Sequence, residues 1–273
     1  MARFDFGGSA IINTNKHIRL TQDRKSQAGW LWSRLPLTPT SFEIEFEFRV
    51  DGKTSSLYGD GFAFWLTRDR AMTGSVFGSS DRWDGLAILF DTYANSRHSY
   101  SFPEVVAIMN DGSKSYDVGK DGAGQESARC SLDYRRTEVT AKAKLTYFKN
   151  NFLQLQIQHE EWERWSECFT LPNITLPGTI YMGFSAHTGD VSDEHDIISI
   201  STHNVVWHAP IAGTSPRRRL FNSRGKSEGA RSSDGGVGGF VFALIKWLFF
   251  AVIVVIGVIV FRGYRMKKSA KRF

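Results

Sequence analysis

Four acidic positions fall in glycine- or turn-rich contexts where a carboxylate could do chemistry. Asp60 sits in Gly59-Asp60-Gly61, and Asp91 heads Asp91-Thr-Tyr-Ala-Asn95. Asp121 lies in Lys120-Asp-Gly122, and Asp190 in Thr188-Gly-Asp-Val191. A hard cation such as Ca2+ takes six to eight oxygens from carboxylates, amides, backbone carbonyls and water. Asp91, the carbonyl of Tyr93 and the amide of Asn95 offer a carboxylate, a carbonyl and an amide at i, i+2 and i+4. Such a run can wrap one ion if a distant Asp closes the shell. Each motif alone also reads as a turn, since Asp, Asn and Gly are the residues that turns use.

The elements that must position these groups have a period of two. Over residues 41–50, Phe42, Ile44, Phe46, Phe48 and Val50 alternate with Glu43, Glu45, Glu47 and Arg49, as a strand with one buried face requires. Residues 138–149 and 151–158 repeat the pattern, joined by a predicted hairpin turn at Lys149-Asn150-Asn151. Residues 61–67, 85–91, 105–110, 179–187 and 196–205 are more continuously apolar strands. No helical period precedes residue 240. Many short strands between Gly- and Asp-rich turns predict an all-β sandwich or jelly roll over residues 1–208.

The charge distribution excludes a nucleic-acid role. The chain of 273 residues carries a net +6, from 34 basic and 28 acidic side chains. Six of the basic ones, and no acid, lie in residues 262–273, so the rest of the chain is neutral. That basic tail follows residues 240–261, a run of 22 residues whose single charge is Lys246. At ~1.5 Å per residue such a helix spans about 33 Å, enough for a hydrocarbon core of roughly 30 Å. The positive-inside rule places the tail in the cytosol and residues 1–208 on the lumenal side of the membrane. Residues 209–239, rich in Gly, Ser and Arg, read as a polar linker without heptads. This topology calls for a translocation signal, and Met1–Ala10 has no apolar core of that kind. The expectation is a start upstream of Met1. The alternative is insertion directed by the C-terminal helix, with the domain left in the cytosol. In the lumenal case Cys130 and Cys168 pair, and in the cytosolic case they are free thiols. Asn173-Ile-Thr175 is an N-glycosylation sequon.

Between Asp5 and Val206 the chain resembles the leguminous-type (L-type) lectins of the early secretory pathway. The likeness rests on Asp5-Phe-Gly-Gly-Ser9, Tyr58-Gly-Asp-Gly-Phe-Ala-Phe-Trp65, Val76-Phe-Gly-Ser79, Gly85-Leu-Ala-Ile-Leu-Phe-Asp-Thr-Tyr-Ala-Asn95, Lys120-Asp-Gly122, Cys130 and Thr188-Gly-Asp-Val-Ser-Asp-Glu-His-Asp196. The uncoiled linker and the ending Lys271-Arg272-Phe273 bring it nearest to the vesicular integral-membrane branch of that family. The resemblance implies a concanavalin-like sandwich that binds high-mannose glycans through Ca2+. Asp91, the Tyr93 carbonyl, Asn95 and Asp121 would hold the ion, and Asn95 would also donate its amide to mannose. Asp60 would accept from sugar hydroxyls, with Ser26 and the backbone of Gly189, Asp190 and Val191 completing the pocket. A Cys130–Cys168 disulfide is implied as well.

The same likeness implies a cargo receptor or quality-control lectin of the endoplasmic reticulum, the ER–Golgi intermediate compartment or the Golgi, whose partners are high-mannose glycoproteins and, through the tail, vesicle-coat components. The sequence departs from the family where Tyr-Asp-His becomes Tyr116-Asp117-Val118, because valine cannot donate the hydrogen bond that the histidine gives to mannose. His187, two residues before Gly189, could partly compensate but reads first as a surface or strand-end histidine, and loss of sugar binding in acid is expected to follow the carboxylates around Ca2+. The tail lacks the dilysine spacing of a retrieval signal, and Phe273 resembles an export ending.

Two other functions compete. One is a glycan-independent protein-binding cargo adaptor. The other is a glycoside hydrolase, since Glu43-Ile-Glu-Phe-Glu47 resembles the acidic strand of β-glucanases. Alternation puts those three carboxylates on one face, the outer pair roughly 13 Å apart. A solvated outer face explains them equally, and the expectation is a protein that is not an enzyme.

Overall fold

A computed structural model of the chain describes residues 3–38, 40–96 and 102–206. The chain divides into two units, Met1–Pro210 and Ile211–Phe273. The predicted membrane helix at 240–261 and the basic tail lie outside the described residues. Among the described residues no helix is long and apolar enough to cross a membrane.

Fourteen strands are described: β1 (Phe4–Gly8), β2 (Ile11–Asn13), β3 (His17–Thr21), β4 (Gln27–Ser33), β5 (Ser41–Asp51), β6 (Gly61–Thr67), β7 (Asp84–Asp91), β8 (Glu104–Asp111), β9 (Ala128–Ser131), β10 (Ala141–Phe148), β11 (Phe152–Gln158), β12 (Ser166–Pro172), β13 (Tyr181–Thr188) and β14 (Glu194–Asn204). They form two seven-stranded sheets, ordered β1-β4-β13-β6-β7-β8-β9 and β12-β11-β10-β5-β14-β3-β2. The strand pairings are antiparallel. The only regular helical element among the described residues is a 3-10 turn at Val118–Lys120.

The alternation in β5 does what the pattern demands. Phe42, Ile44, Phe46, Phe48 and Val50 are buried between the sheets, where Phe46 stacks on Phe64 at 5.1 Å and meets Phe184 edge-on at 5.0 Å. Each such side chain contributes about 1.5–3 kcal/mol through burial. Glu45 and Glu47 face outward and pair across the ladder with β10. Lys142 Nζ lies 2.7 Å from Glu47 and 3.8 Å from Glu45, and Lys144 Nζ lies 3.6 Å from Glu45. The Thr146 hydroxyl donates to Glu43 at 3.3 Å. The acidic row is thus a cross-strand charge lattice on the outer face of the second sheet.

The first sheet is buried on both faces, which is why β6 and β7 read as continuously apolar. Phe62, Phe64 and Leu66 point into the sandwich. Ala63 and Trp65 point the other way, into a second core with Trp32, Val76, Phe77 and Trp83. The Trp65 indole N–H donates to Ser185 Oγ at 2.8 Å. The segment between β6 and β7 therefore folds over the outer face of the sheet and walls one side of the site. Cys130 on β9 and Cys168 on β12 form a disulfide, with Cα atoms 5.4 Å apart. It ties an edge strand of one sheet to an edge strand of the other.

Candidate functional site

Asp60, Asp91 and His187 meet because of strand register. In the β6–β7 ladder Gly61 lies opposite Asp91, and in the β13–β6 ladder it lies opposite His187. Asp60, one residue before Gly61, is thereby set at the end of three adjacent strands. Gly61 has φ +142°, and a Cβ there would stand 2.2 Å from the Phe90 carbonyl oxygen, so the close approach requires glycine. The Gly59–Asp60 peptide is cis. The Asp60 carbonyl accepts from Thr92 N at 3.0 Å and Thr92 Oγ1 at 3.1 Å, and its N–H donates to the His187 carbonyl at 3.3 Å. With its backbone held from both sides, Asp60 turns its Oδ2 to His187 Nδ1, 2.7 Å away.

Asp91 ends β7 and is 3% exposed; Asp121 follows the 3-10 turn in a left-handed conformation, φ 49°, and is fully buried. Asp91 Oδ1 accepts the Tyr93 N–H at 3.0 Å. The Tyr134 hydroxyl bridges the carbonyls of Asp91 and Glu104 at 3.0 and 3.1 Å. Burial pushes the Asp91 carboxyl well above the usual carboxylate range, and the charges of Asp121, Glu104 and Asp60 push it the same way. Asp121 accepts from Asn95 twice, from Nδ2 at 2.6 Å and from the backbone N–H at 3.0 Å. Asp60, Asp91, Asn95 and His187 share a cleft of about 130 Å3. Val76 and Phe77 supply its apolar lining, with Ser75, Tyr116 and Val118 beside them.

Of the residues picked out by sequence, Asp60, Asp91 and Asn95 line the cleft, and Asp121 is bonded to Asn95 from behind. Ser26, Gly189, Asp190 and Val191 lie outside that lining. The Ser26 N–H donates to the Gly189 carbonyl at 3.2 Å, and a Cβ on Gly189 would stand 3.3 Å from both Asp60 carboxylate oxygens. Val191 packs on Gly59, against which the Tyr93 side chain also lies. These residues flank the Asp60 turn, and Asp190 is exposed. Asn173 is exposed just after β12, its N–H donating to the Asn151 carbonyl at 2.7 Å. Glu43, Glu45 and Glu47 do not line the cleft; they stand in the charge lattice of the other sheet.

Sequence reasoning gave no role to Ser75, Val76, Phe77 or Tyr116, although Val76-Phe-Gly-Ser79 was visible as a motif. Tyr116 was passed over for its neighbour Val118; the ring packs on Gly122, whose Cβ would meet it at 2.8 Å. His187 lies one residue before the end of β13, and its ring turns to Asp60.

As a donor set the site fits a hard cation. Two buried carboxylates, a backbone carbonyl and an amide all offer oxygen, and a cation there would offset both the burial that chiefly raises Asp91 and the repulsion from its acidic neighbours. Among the described residues no group of three or more His, Cys, Asp and Glu gathers as a metal site, so the amide and carbonyl oxygens are needed to complete the shell.

A family model described as the legume-like lectin family matches residues 1–209. An L-type lectin-like domain-containing protein of Schizosaccharomyces pombe is 36% identical over 270 residues, 98% of this chain and 84% of that protein. The vesicular integral-membrane protein VIP36 of Homo sapiens is 38% identical over 213 residues, 77% of this chain and 59% of that protein. The chain therefore spans somewhat over half the length of that relative. A crystal structure of the VIP36 exoplasmic/lumenal domain in a Ca2+/Man2-bound form superposes with a TM-score of 0.73 at 38% identity, covering 77% of this chain and 84% of that one. The Emp47p carbohydrate recognition domain, 23% identical with a TM-score of 0.64 over 76% of this chain and 90% of that one, shares the fold.

Proposed function

The chain belongs to the legume-like lectin family, and from that premise we propose that it is a calcium-dependent lectin for high-mannose N-glycans. The observation that carries the proposal is the convergence of Asp60, Asp91 and Asn95 in one cleft, with Asp121 bonded to Asn95. Support also comes from VIP36, whose lumenal domain has been crystallised with Ca2+ and mannose-containing ligands. Asp91, the Tyr93 carbonyl, Asn95 and Asp121 would hold the calcium ion. The ion supplies positive charge that offsets the burial of two carboxylates and orders the 92–95 segment.

The chain's own residues then do the recognising. Asp60, fixed through its backbone, accepts from sugar hydroxyls. Asp121 would hold the ion, and Asn95 Nδ2, which donates to Asp121, would be the amide donor offered to the sugar. Backbone N–H groups of Gly189, Asp190 and Val191, with Ser26, approach from beyond the Asp60 turn. Pre-organised acceptors and donors of this kind bind a polyol because little ordering remains to be done on binding. No step breaks a bond, and the reading is non-enzymatic.

The topology proposed with it is a lumenal domain in the endoplasmic reticulum, the ER–Golgi intermediate compartment or the Golgi. Residues 240–261 would form the membrane anchor, and the basic tail would face vesicle coats. The role is then that of a cargo receptor or quality-control lectin. A glycan array probed with the full chain, in calcium and in chelator, tests the function. High-mannose glycans are retained in calcium, released by chelator, and lost in Asp60→Ala and Asn95→Ala. Val118 favours one second reading, a glycan-independent cargo adaptor, which predicts an empty array from a folded protein.

A further inference from the structure

His187 is assigned no role by the donor set above, yet it stands in the middle of the cleft. Its Nδ1 lies 2.7 Å from Asp60 Oδ2. A carboxylate only accepts, so the ring proton of a neutral imidazole sits on Nδ1, and Nε2 on the opposite edge is left as an acceptor. The side chain is 37% exposed. Val118, also lining the cleft and 45% exposed, offers only methyl groups. A ligand entering the cleft thus meets two acceptors of different kinds, Asp60 Oδ1 just before β6 and His187 Nε2 on the adjoining β13, with the apolar Val118 lining the same cleft. The ligand chemistry that such a pair selects is two hydroxyls, each giving its proton to one acceptor, on a ring whose C–H edge packs against valine.

We propose that His187 is a sugar-contacting, specificity-determining residue: Nδ1–H fixes Asp60, and Nε2 accepts one hydroxyl of the hexose while Asp60 accepts another. The inference rests on the lectin reading and deepens it by adding a contact from β13.

The test uses the full chain in detergent with saturating calcium, methyl α-mannoside and each of its monodeoxy analogues, with affinities from calorimetry. In the wild type, removal of one particular hydroxyl weakens binding about ten-fold, the scale of one neutral hydrogen bond. His187→Ala weakens the parent sugar by a similar factor and makes that hydroxyl's removal cost nothing further, with calcium affinity unchanged. His187→Asn keeps an amide donor for Asp60 but is too short to reach the hydroxyl, and behaves as His187→Ala does. The proposal falls if His187→Ala binds the parent sugar as the wild type does, if His187→Asn restores wild-type affinity, or if every deoxy analogue loses the same factor in wild type and variant. Wild-type protein that binds no mannoside in calcium overturns the lectin reading and this contact with it; the three other outcomes overturn the contact alone.

Discussion

Asn95 donates to Asp121 from both its nitrogens, the side-chain amide at 2.6 Å and the backbone at 3.0 Å. The contact joins the 92–95 segment to a residue 26 positions on, and it engages both the amide and the carboxylate on which calcium and sugar are proposed to depend. Metal binding and loop order are then one event. Calcium at a hundred-fold excess over its dissociation constant raises stability by about 2.7 kcal/mol, which is roughly 5–10 °C in Tm for a domain of this size. Asp121→Ala removes that calcium shift, and a thermal melt in calcium against chelator measures it. A wild-type protein whose Tm ignores calcium would show the ligand set to be wrong.

Asp91 carries a pH signature with a definite sign. Burial raises its folded-state pKa above the unfolded value of ~3.9. The folded protein then holds the proton more tightly, so this contribution is complete below the unfolded pKa and is lost as pH rises through the folded one. In chelator, Asp91→Asn therefore gains stability over wild type on going from acid to neutral pH, because the amide never ionises. In calcium the order reverses, since the variant has lost a ligand. Urea midpoints at acid and neutral pH, with and without calcium, give the four values. An advantage for the variant that shrinks toward neutral pH in chelator would contradict the sign.

Val118 is exposed in the cleft wall and makes up part of neither hydrophobic core. Val118→His places a donor there, and mannoside affinity is expected to rise by about ten-fold, again one hydrogen bond. Tm stays within a degree or so of wild type, because exposed substitutions away from packed groups change stability little. Unchanged sugar binding would mean that the ligand does not reach this wall, and weaker binding that it meets the valine as an apolar surface rather than through a missing donor.

The Cys130–Cys168 bridge spans 38 positions and joins edge strands of different sheets. On the loop-entropy model its removal costs about 4 kcal/mol. The double serine variant is expected to unfold at markedly lower urea while keeping calcium-dependent sugar binding below its transition, because neither cysteine lines the cleft. Equal midpoints for variant and wild type would remove the bridge from the stability account.

What the sequence made legible follows from how each element is buried. β5, β10 and β11 have one buried face and alternate cleanly. β6, β7, β8, β13 and β14 could be read as apolar runs with nearly correct bounds. β1 to β3 give little signal because they are short strands at or beside sheet edges, carrying Gly, Asn and Arg, and β4 is missed too, since Trp30, Leu31 and Trp32 stand together without alternation. β9 has only four residues, and β12 lacks a steady alternation. The proposed metal ligands could be picked out in sequence because three of them fall at alternate positions within Asp91–Asn95. The Asp60–His187 contact was not, because it depends on His187 lying opposite Gly61 across β6 and β13, a register invisible until the two strands are paired. The acidic row of β5 shows the reverse case: the spacing of its carboxylates was right, but their lysine partners sit on β10, some hundred residues away.

The second core on the outer face of the first sheet has a consequence for how this protein can change. A strand that slipped by one position would turn Trp65 inward and Phe64 outward, and two packed layers oppose that exchange where one would ordinarily do so. The chassis under Asp60, Asp91 and His187 is therefore locked against drift, while Val118 and the exposed end of the 92–95 segment hang from it with few packing obligations. Such peripheral side chains can be exchanged one at a time without renegotiating the frame that holds the acids in line.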